Sequence, residues 1–190
     1  MKTALFFGSF NPIHIGHMAI ANYVVEFTDV DQLWFVISPQ NPLKKKSTLL
    51  PDYHRLELVN IAIGDDPRFR ACDIEFKLPK PSYTIDTLTY LREKYPKKEF
   101  VIVMGADGLA NFSKWKNYQQ IISTTTRYVY PRPGADSNNL QHPENIVRIK
   151  APLMDISSTF IRDAISKGRK VDHFLPFKVQ EYIEKMNFYK

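Results

Sequence analysis

The stretch that decides the fold is Thr3-Ala4-Leu5-Phe6-Phe7-Gly8-Ser9-Phe10-Asn11-Pro12-Ile13-His14-Ile15-Gly16-His17. Thr3 to Phe7 is a short apolar run ended by turn residues, the pattern of a buried strand. Gly8 lets the backbone turn tightly and approach a ligand with no Cβ in the way. Gly16 to Phe27 then carries Ile20, Tyr23, Val24 and Phe27 at helical spacing. Gln32 to Ile37 is a second apolar run, so the first 37 residues read as a βαβ unit with parallel strands. Successive N–H groups between strand and helix make a concave anion site at the helix N-terminus. His14 and His17 are three apart and share one face of the first turn, with Gly16 leaving room for a bulky ligand.

The rhythm continues outward from this unit. A Pro- and Lys-containing loop, Ser38 to Leu50, precedes a helix from Asp52 to Ile63. Arg70 to Phe76 reads as a strand, Thr84 to Lys94 as a helix, and Phe100 to Met104 as the clearest buried strand. Short helical pieces follow around Leu109 and from Asn117 to Ile122, then a strand from Arg127 to Tyr130. Arg132 to Asn145 is polar and rich in Pro, Gly and Asn, the composition of a surface loop. Ile146 to Ile149 is a last strand, followed by helices from Ser158 to Lys167 and from Phe177 to Lys185. Alternating strands and helices predict an α/β fold: one Rossmann-like three-layer domain over residues 1–190, with a mainly parallel sheet. Ligands of such sheets sit beyond the strand C-termini, which directs attention to the residues after Phe7, Ile37, Met104 and Ile149.

Composition narrows the setting. The chain has 190 residues with a formal net charge of +6, which favours anionic partners: nucleic acid, phospholipid or small phosphorylated molecules. Cys72 is the only cysteine, so neither an internal disulfide nor a cysteine-based zinc site can form within one chain, and a cytoplasmic setting is expected. The apolar run Ala4 to Phe7 is too short for a signal-peptide core, and no stretch is long enough to cross a bilayer. Tyr- and Phe-rich surface leaves a homo-oligomer open.

Four further segments sit at predicted strand ends or helix starts. Ser38 to Lys46 holds Lys44, Lys45 and Lys46; alone it is a solvated basic loop, but its position puts a lysine within reach of a phosphate. Ser82-Tyr83-Thr84-Ile85-Asp86-Thr87-Leu88 opens a helix. Gly105-Ala106-Asp107 follows the strongest strand and offers a carboxylate for ribose hydroxyls, with Trp115 and Lys116 in the polar stretch beyond. Ile156-Ser157-Ser158-Thr159-Phe160-Ile161-Arg162 starts a helix with hydroxyls, N–H groups and a guanidinium, a second anion site.

The string Gly8 to His17 resembles the G-x-F-x-P-x-H-x-G-H signature of the nucleotidyltransferase superfamily, which includes the class I aminoacyl-tRNA synthetases. The chain is too short for a synthetase. With the S-Y-T-x-D-T and I-S-S-T-x-I-R strings added, the whole chain resembles the bacterial nicotinate mononucleotide adenylyltransferases, enzymes of NAD biosynthesis that move AMP from ATP to that nucleotide.

The resemblance implies that His14, His17 and Arg162 act on the ATP phosphates, with His17 nearest the α-phosphate and Ser158 and Thr159 assisting Arg162. Gly8, Ser9 and Phe10 would line the nucleotide cradle, and Gly105 and Asp107 the ribose. Tyr83, Thr84, Trp115 and Lys116 would hold the pyridine nucleotide, the ring stacking on Trp115. Magnesium would arrive with ATP, since no cluster of carboxylates forms a dedicated cage. One departure stands out. Many members read Pro-Pro-His-Lys where this chain has Pro42-Leu43-Lys44-Lys45, so Lys44 or Lys45 would replace the loop histidine. Other acceptors, nicotinamide mononucleotide or phosphopantetheine, share the first motif. A nucleic-acid-binding module is disfavoured by the lack of an aromatic-basic stripe.

Overall fold

The computed structural model describes residues 1–39, 49–135 and 143–190. In chain order it contains β1 (Lys2–Gly8), α1 (Ile15–Phe27), β2 (Gln32–Ile37), α2 (Asp52–Ile63), β3 (Phe69–Cys72) and a 3₁₀ turn (Ile74–Lys77). There follow α3 (Thr84–Lys94), β4 (Glu99–Gly105), the short α4 (Ala106–Leu109) and a second 3₁₀ turn (Phe112–Lys114). The chain then forms α5 (Tyr118–Thr124), β5 (Arg127–Tyr130), β6 (Ile146–Arg148), α6 (Ser158–Ser166) and α7 (Phe177–Lys185).

The six strands form one sheet in the order β3-β2-β1-β4-β5-β6, and every pairing is parallel. Strands β1 to β3 step outward in one direction; β4 returns to the other side of β1. The strand order therefore reverses between β1 and β4, where doubly wound sheets open a ligand crevice.

Period-2 alternation sorts the strands' side chains into two cores. Ala4, Phe6, Leu33, Phe35, Val101 and Val103 face one layer with Ile20 and Val24 of α1, Leu58 of α2, Ile161 of α6 and Val179 of α7. Leu5, Trp34, Val36, Phe100, Ile102 and Met104 face the other with Leu88 and Leu91 of α3, Phe112 and Ile121 of α5. Both faces of the sheet are covered, which is why the strands read as continuous apolar runs. Cys72 is buried in the second core, and burial pushes its thiol up. No helix among the described residues is long and apolar enough to cross a membrane.

The expected strand Arg70 to Phe76 is corrected. β3 ends at Cys72, which pairs with Val36 one residue from the end of β2. Beyond that point the partner strand stops, and the chain bonds to itself instead, Phe76 N–H to Asp73 C=O at 2.9 Å. The remaining predicted elements recur with ends shifted by a residue or two. The predicted loops after β2 and β5 fall partly outside the described residues, taking Lys44 and Lys45 with them.

Arg55 of α2 is fully buried. Its Nε donates to Leu50 C=O (3.0 Å), Nη1 to Ser9 C=O (2.7 Å) and Ser38 C=O (2.8 Å), and Nη2 to Pro39 C=O (3.2 Å) and Asp52 Oδ1 (2.9 Å). All five guanidinium donors are thus matched. Replacing Arg55 with Met should destabilise the fold by about 3–5 kcal/mol, since several buried acceptors lose their donor at once. Urea unfolding checks this, and a loss below about 1 kcal/mol would mean the carbonyls find other partners.

Candidate active site

Just beyond the C-terminal ends of β1, β4 and β5 lies a cleft of about 590 Å³. Its first wall is the turn from β1 into α1. Phe10 adopts φ 45°, a left-handed conformation unusual for an aromatic residue. Burial offsets that strain: the ring is 2% exposed and packs on Phe35 (5.5 Å between centroids), Phe6 (5.9 Å) and His17 (5.1 Å). The same ring explains Gly8, because a Cβ there would lie 2.8 Å from it.

His14 stands at the N-cap of α1 and His17 one turn in, their rings stacked 3.7 Å apart between centroids. His14 N–H donates to His17 Nδ1 at 3.3 Å. A neutral His17 accepting at Nδ1 carries its proton on Nε2 and is a donor there. His14 is only 4% exposed. Burial, with a smaller push from the charge of Arg132, lowers its pKa to about 4, so it is an uncharged imidazole at neutral pH. A Cβ at Gly16 would meet His14 Nδ1 at 3.0 Å, so the glycine makes room for the His14 ring, and it also lines the cleft.

The second wall is the start of α6. Ser157, not Ser158, is the N-cap and accepts from Phe160 N–H at 3.1 Å. The Ser158 hydroxyl donates to Pro12 C=O at 2.9 Å, and Arg162 Nη1 donates to Asn11 C=O at 2.8 Å. Arg162 Nη2 also reaches the Thr159 hydroxyl at 3.4 Å. The α6 turn therefore grips the β1–α1 turn while Ser158, Thr159 and Arg162 line the cleft.

The opposite side comes from the other layer. Gly105 caps α4, and any Cβ at that position would collide with the Asp107 carboxylate and the Arg132 side chain. Asp107 pairs with Arg132 Nε at 3.6 Å across a partly exposed gap. Trp115 packs on Phe112 with centroids 4.9 Å apart. Lys116 Nζ bonds Asp86 Oδ2 at 2.9 Å and lies 4.7 Å from the centre of the Tyr83 ring, so this lysine braces the wall.

The cleft brings together Gly8, Ser9, Phe10, His14, His17, Tyr83, Thr84, Gly105, Asp107, Trp115, Lys116, Ser158, Thr159 and Arg162. It also contains Arg132 and Glu75, which the sequence reading passed over. Both follow strand ends: Arg132 lies two residues past β5 and Glu75 three past β3. The strand-end rule, applied to β5, points to Arg132; Glu75 falls inside the stretch Arg70 to Phe76 that reads as strand, so the rule does not reach it. Among the described residues no group of three or more His, Cys, Asp or Glu could hold a metal ion.

With this geometry in view, comparison with known proteins assigns a class. The family model described as cytidylyltransferase-like matches residues 5–164. Probable nicotinate-nucleotide adenylyltransferases of Flavobacterium psychrophilum and Flavobacterium johnsoniae are 52% and 51% identical to the chain, each over all of both chains. That of Cytophaga hutchinsonii is 47% identical over all of this chain and 98% of its own. The chain belongs to the cytidylyltransferase-like family and, within it, to the nicotinate-nucleotide adenylyltransferases. The fold is shared with the Plasmodium falciparum nicotinic acid mononucleotide adenylyltransferase complexed with NaAD, at TM-score 0.82 and 20% identity over 99% of this chain and 97% of that one.

His14 ties stability to pH. An unfolded imidazole takes a proton near 6.5, whereas the folded one resists until about 4, so the unfolded state binds more protons in between. Stability should fall as pH drops through that window. Between pH 7 and 5 the wild type should lose about 2 kcal/mol more than His14→Gln, read from urea midpoints. Equal losses would show that His14 charges freely in the fold.

Proposed function

We propose that the cleft transfers AMP from ATP to nicotinate mononucleotide, forming nicotinate adenine dinucleotide and releasing pyrophosphate. The observation that carries this reading is the meeting, in one cleft, of a histidine pair and guanidinium with an aromatic wall and a helix start. Family membership supports it independently. We take residues 1–190 as one nucleotidyltransferase domain working in the cytoplasm on small molecules rather than nucleic acid.

The acceptor's 5′-phosphate has a second pKa of about 6 and is already largely dianionic at neutral pH. It therefore attacks without a general base. One of its oxygens bonds to the α-phosphorus of ATP as the bond from that phosphorus to the α–β bridging oxygen breaks, and pyrophosphate leaves with the electron pair. The protein's work is alignment and charge compensation. His17, donating from Nε2, meets the α-phosphate. Neutral His14 backs it without adding a charge, and Arg162 holds the β- and γ-phosphates. Asp107 takes the ribose. Arg132, in the same cleft, adds positive charge. Magnesium would be carried by the ATP phosphates, because the described residues offer it no cage.

On the acceptor side the pyridine ring stacks on Trp115, and its carboxylate meets backbone N–H groups near Thr84 and Lys116. A carboxamide would turn its own NH₂ donor toward those donors. Unpaired donors in a closed site can reject a substrate by about 10⁴-fold or more.

Purified protein with ATP and magnesium should release pyrophosphate fast with nicotinate mononucleotide and little with nicotinamide mononucleotide or phosphopantetheine. Preference for either alternative would keep adenylyl transfer and overturn the acceptor assignment. His17→Ala should lower kcat by about 10²–10³-fold, as loss of other transition-state donors does, and full activity at saturating ATP would remove it from the mechanism. Trp115→Ala should raise the acceptor KM with kcat nearly constant, because stacking acts in ground and transition states alike. Movement of the ATP KM alone would misplace Trp115.

A further inference from the structure

Glu75 borders the cleft yet is only 2% exposed. Its Oε2 accepts from the Ser82 hydroxyl at 2.8 Å and its Oε1 from the Thr87 hydroxyl at 2.9 Å. The Ser38 hydroxyl, just past β2, is a third donor. Among the described ion pairs none includes Glu75, so hydroxyls alone compensate this buried carboxyl, and burial pushes its pKa up. Such a group costs stability that an apolar side chain would not, and it therefore sits where something other than packing is served.

What Glu75 controls is the start of α3. Tyr83 is the N-cap, and no described side chain caps the helix. Three polar side chains around that end have partners away from the first-turn N–H groups. Ser82 and Thr87 are drawn to Glu75, and Asp86 to Lys116. With Tyr83 at the N-cap, the first-turn N–H groups of Thr84 and Ile85 have no described capping side chain. They are the orphan donors that an N-cap hydroxyl ordinarily satisfies.

We propose that Glu75 is a positioning residue for the acceptor: by holding the Ser82 and Thr87 hydroxyls, on either side of the helix start, it keeps the first turn of α3 aligned for the carboxylate of the pyridine nucleotide. This rests on the acceptor assigned above. Glu75 itself touches no substrate. It acts through the register of the helix start, which a carboxyl accepting from two residues on either side of the cap can fix and an amide, with one acceptor and one donor end, can fix only in part.

The test is steady-state kinetics of the full chain with nicotinate mononucleotide and ATP varied separately. Glu75→Gln and Thr87→Val should each raise the nicotinate mononucleotide KM about tenfold, the worth of one weakened hydrogen bond to a charged group, with kcat and the ATP KM within about twofold. Thr87→Ser, which keeps the hydroxyl, should restore the wild-type KM. A parallel rise in both KM values, or an unchanged acceptor KM in Glu75→Gln, would overturn the proposal. Should Glu75→Gln fail to fold, the Thr87→Val and Thr87→Ser pair decides, and equal acceptor KM values in those two overturn it. A wild-type protein silent with nicotinate mononucleotide refutes the acceptor assignment itself. An active wild type with unmoved variants refutes only the role of Glu75.

Discussion

The buried guanidinium of Arg55 is the constraint on which the site depends. It draws the carbonyls of Ser9, Ser38, Pro39 and Leu50 toward one point beneath the ends of β1 and β2. A trans peptide holds its C=O and N–H in opposite directions, so turning the Ser9 carbonyl inward turns the Phe10 N–H outward. Neutral acceptors surround most of the charge, and among the described residues Asp52 alone pairs with it as an ion. Asn11 extends the scaffold. Its carbonyl accepts from Arg162, and its Oδ1 accepts from Leu50 N–H and from the Tyr189 hydroxyl. The two turns on one side of the cleft, after β1 and before α6, are thus fastened to each other and to the body of the protein.

This scaffold bears on how much could be read in advance. The βαβ beginning, the parallel sheet and the two-faced burial follow from apolar runs of the right length, and the structure shows all of them. The Gly8 to His17 turn was legible because its constraints are local. A ring on Gly8 and a ring against Gly16 are set within a few residues. Arg55 and Glu75 were not legible. Arg55 reaches Ser9 across 46 positions and is met by backbone carbonyls, which every residue possesses. Glu75 meets hydroxyls 7 and 12 positions away, and only the fold decides that those hydroxyls turn toward it. The overlong third strand was misread for a related reason. Its residues keep a strand-like pattern past Cys72, but a strand also needs a neighbour, and β2 has already ended.

The two histidines show why residue type and spacing do not determine state. Three positions apart and stacked, they differ in what surrounds them. His14 is buried with no described hydrogen-bond partner at Nδ1, and its environment favours the neutral ring. His17 receives the backbone N–H of His14 at Nδ1, which fixes its proton on the far nitrogen. One motif thus produces a ring that packs and a ring oriented to donate. On the side of the cleft assigned to phosphates, positive charge comes from the Arg132 and Arg162 guanidinium groups.

The division of the cleft follows the division of the sheet. Side chains assigned to ATP phosphates come from α1 and α6, which pack on the face bearing Phe6 and Phe35. Those assigned to the acceptor come from α3 and from the segment around Phe112 and Trp115, which pack on the face bearing Leu5 and Trp34. The two sets could meet only where a chain passes from one layer to the other, and in this sheet that is the β1–β4 reversal. Gly8 and Gly105 end the two strands at that point, and each is a position where a Cβ would strike a cleft side chain. In the proposed reaction the α-phosphorus and the attacking phosphate come together over this gap. The backbone there must lie close to both without a side chain between them, so the strand order determines where the transferred bond can form.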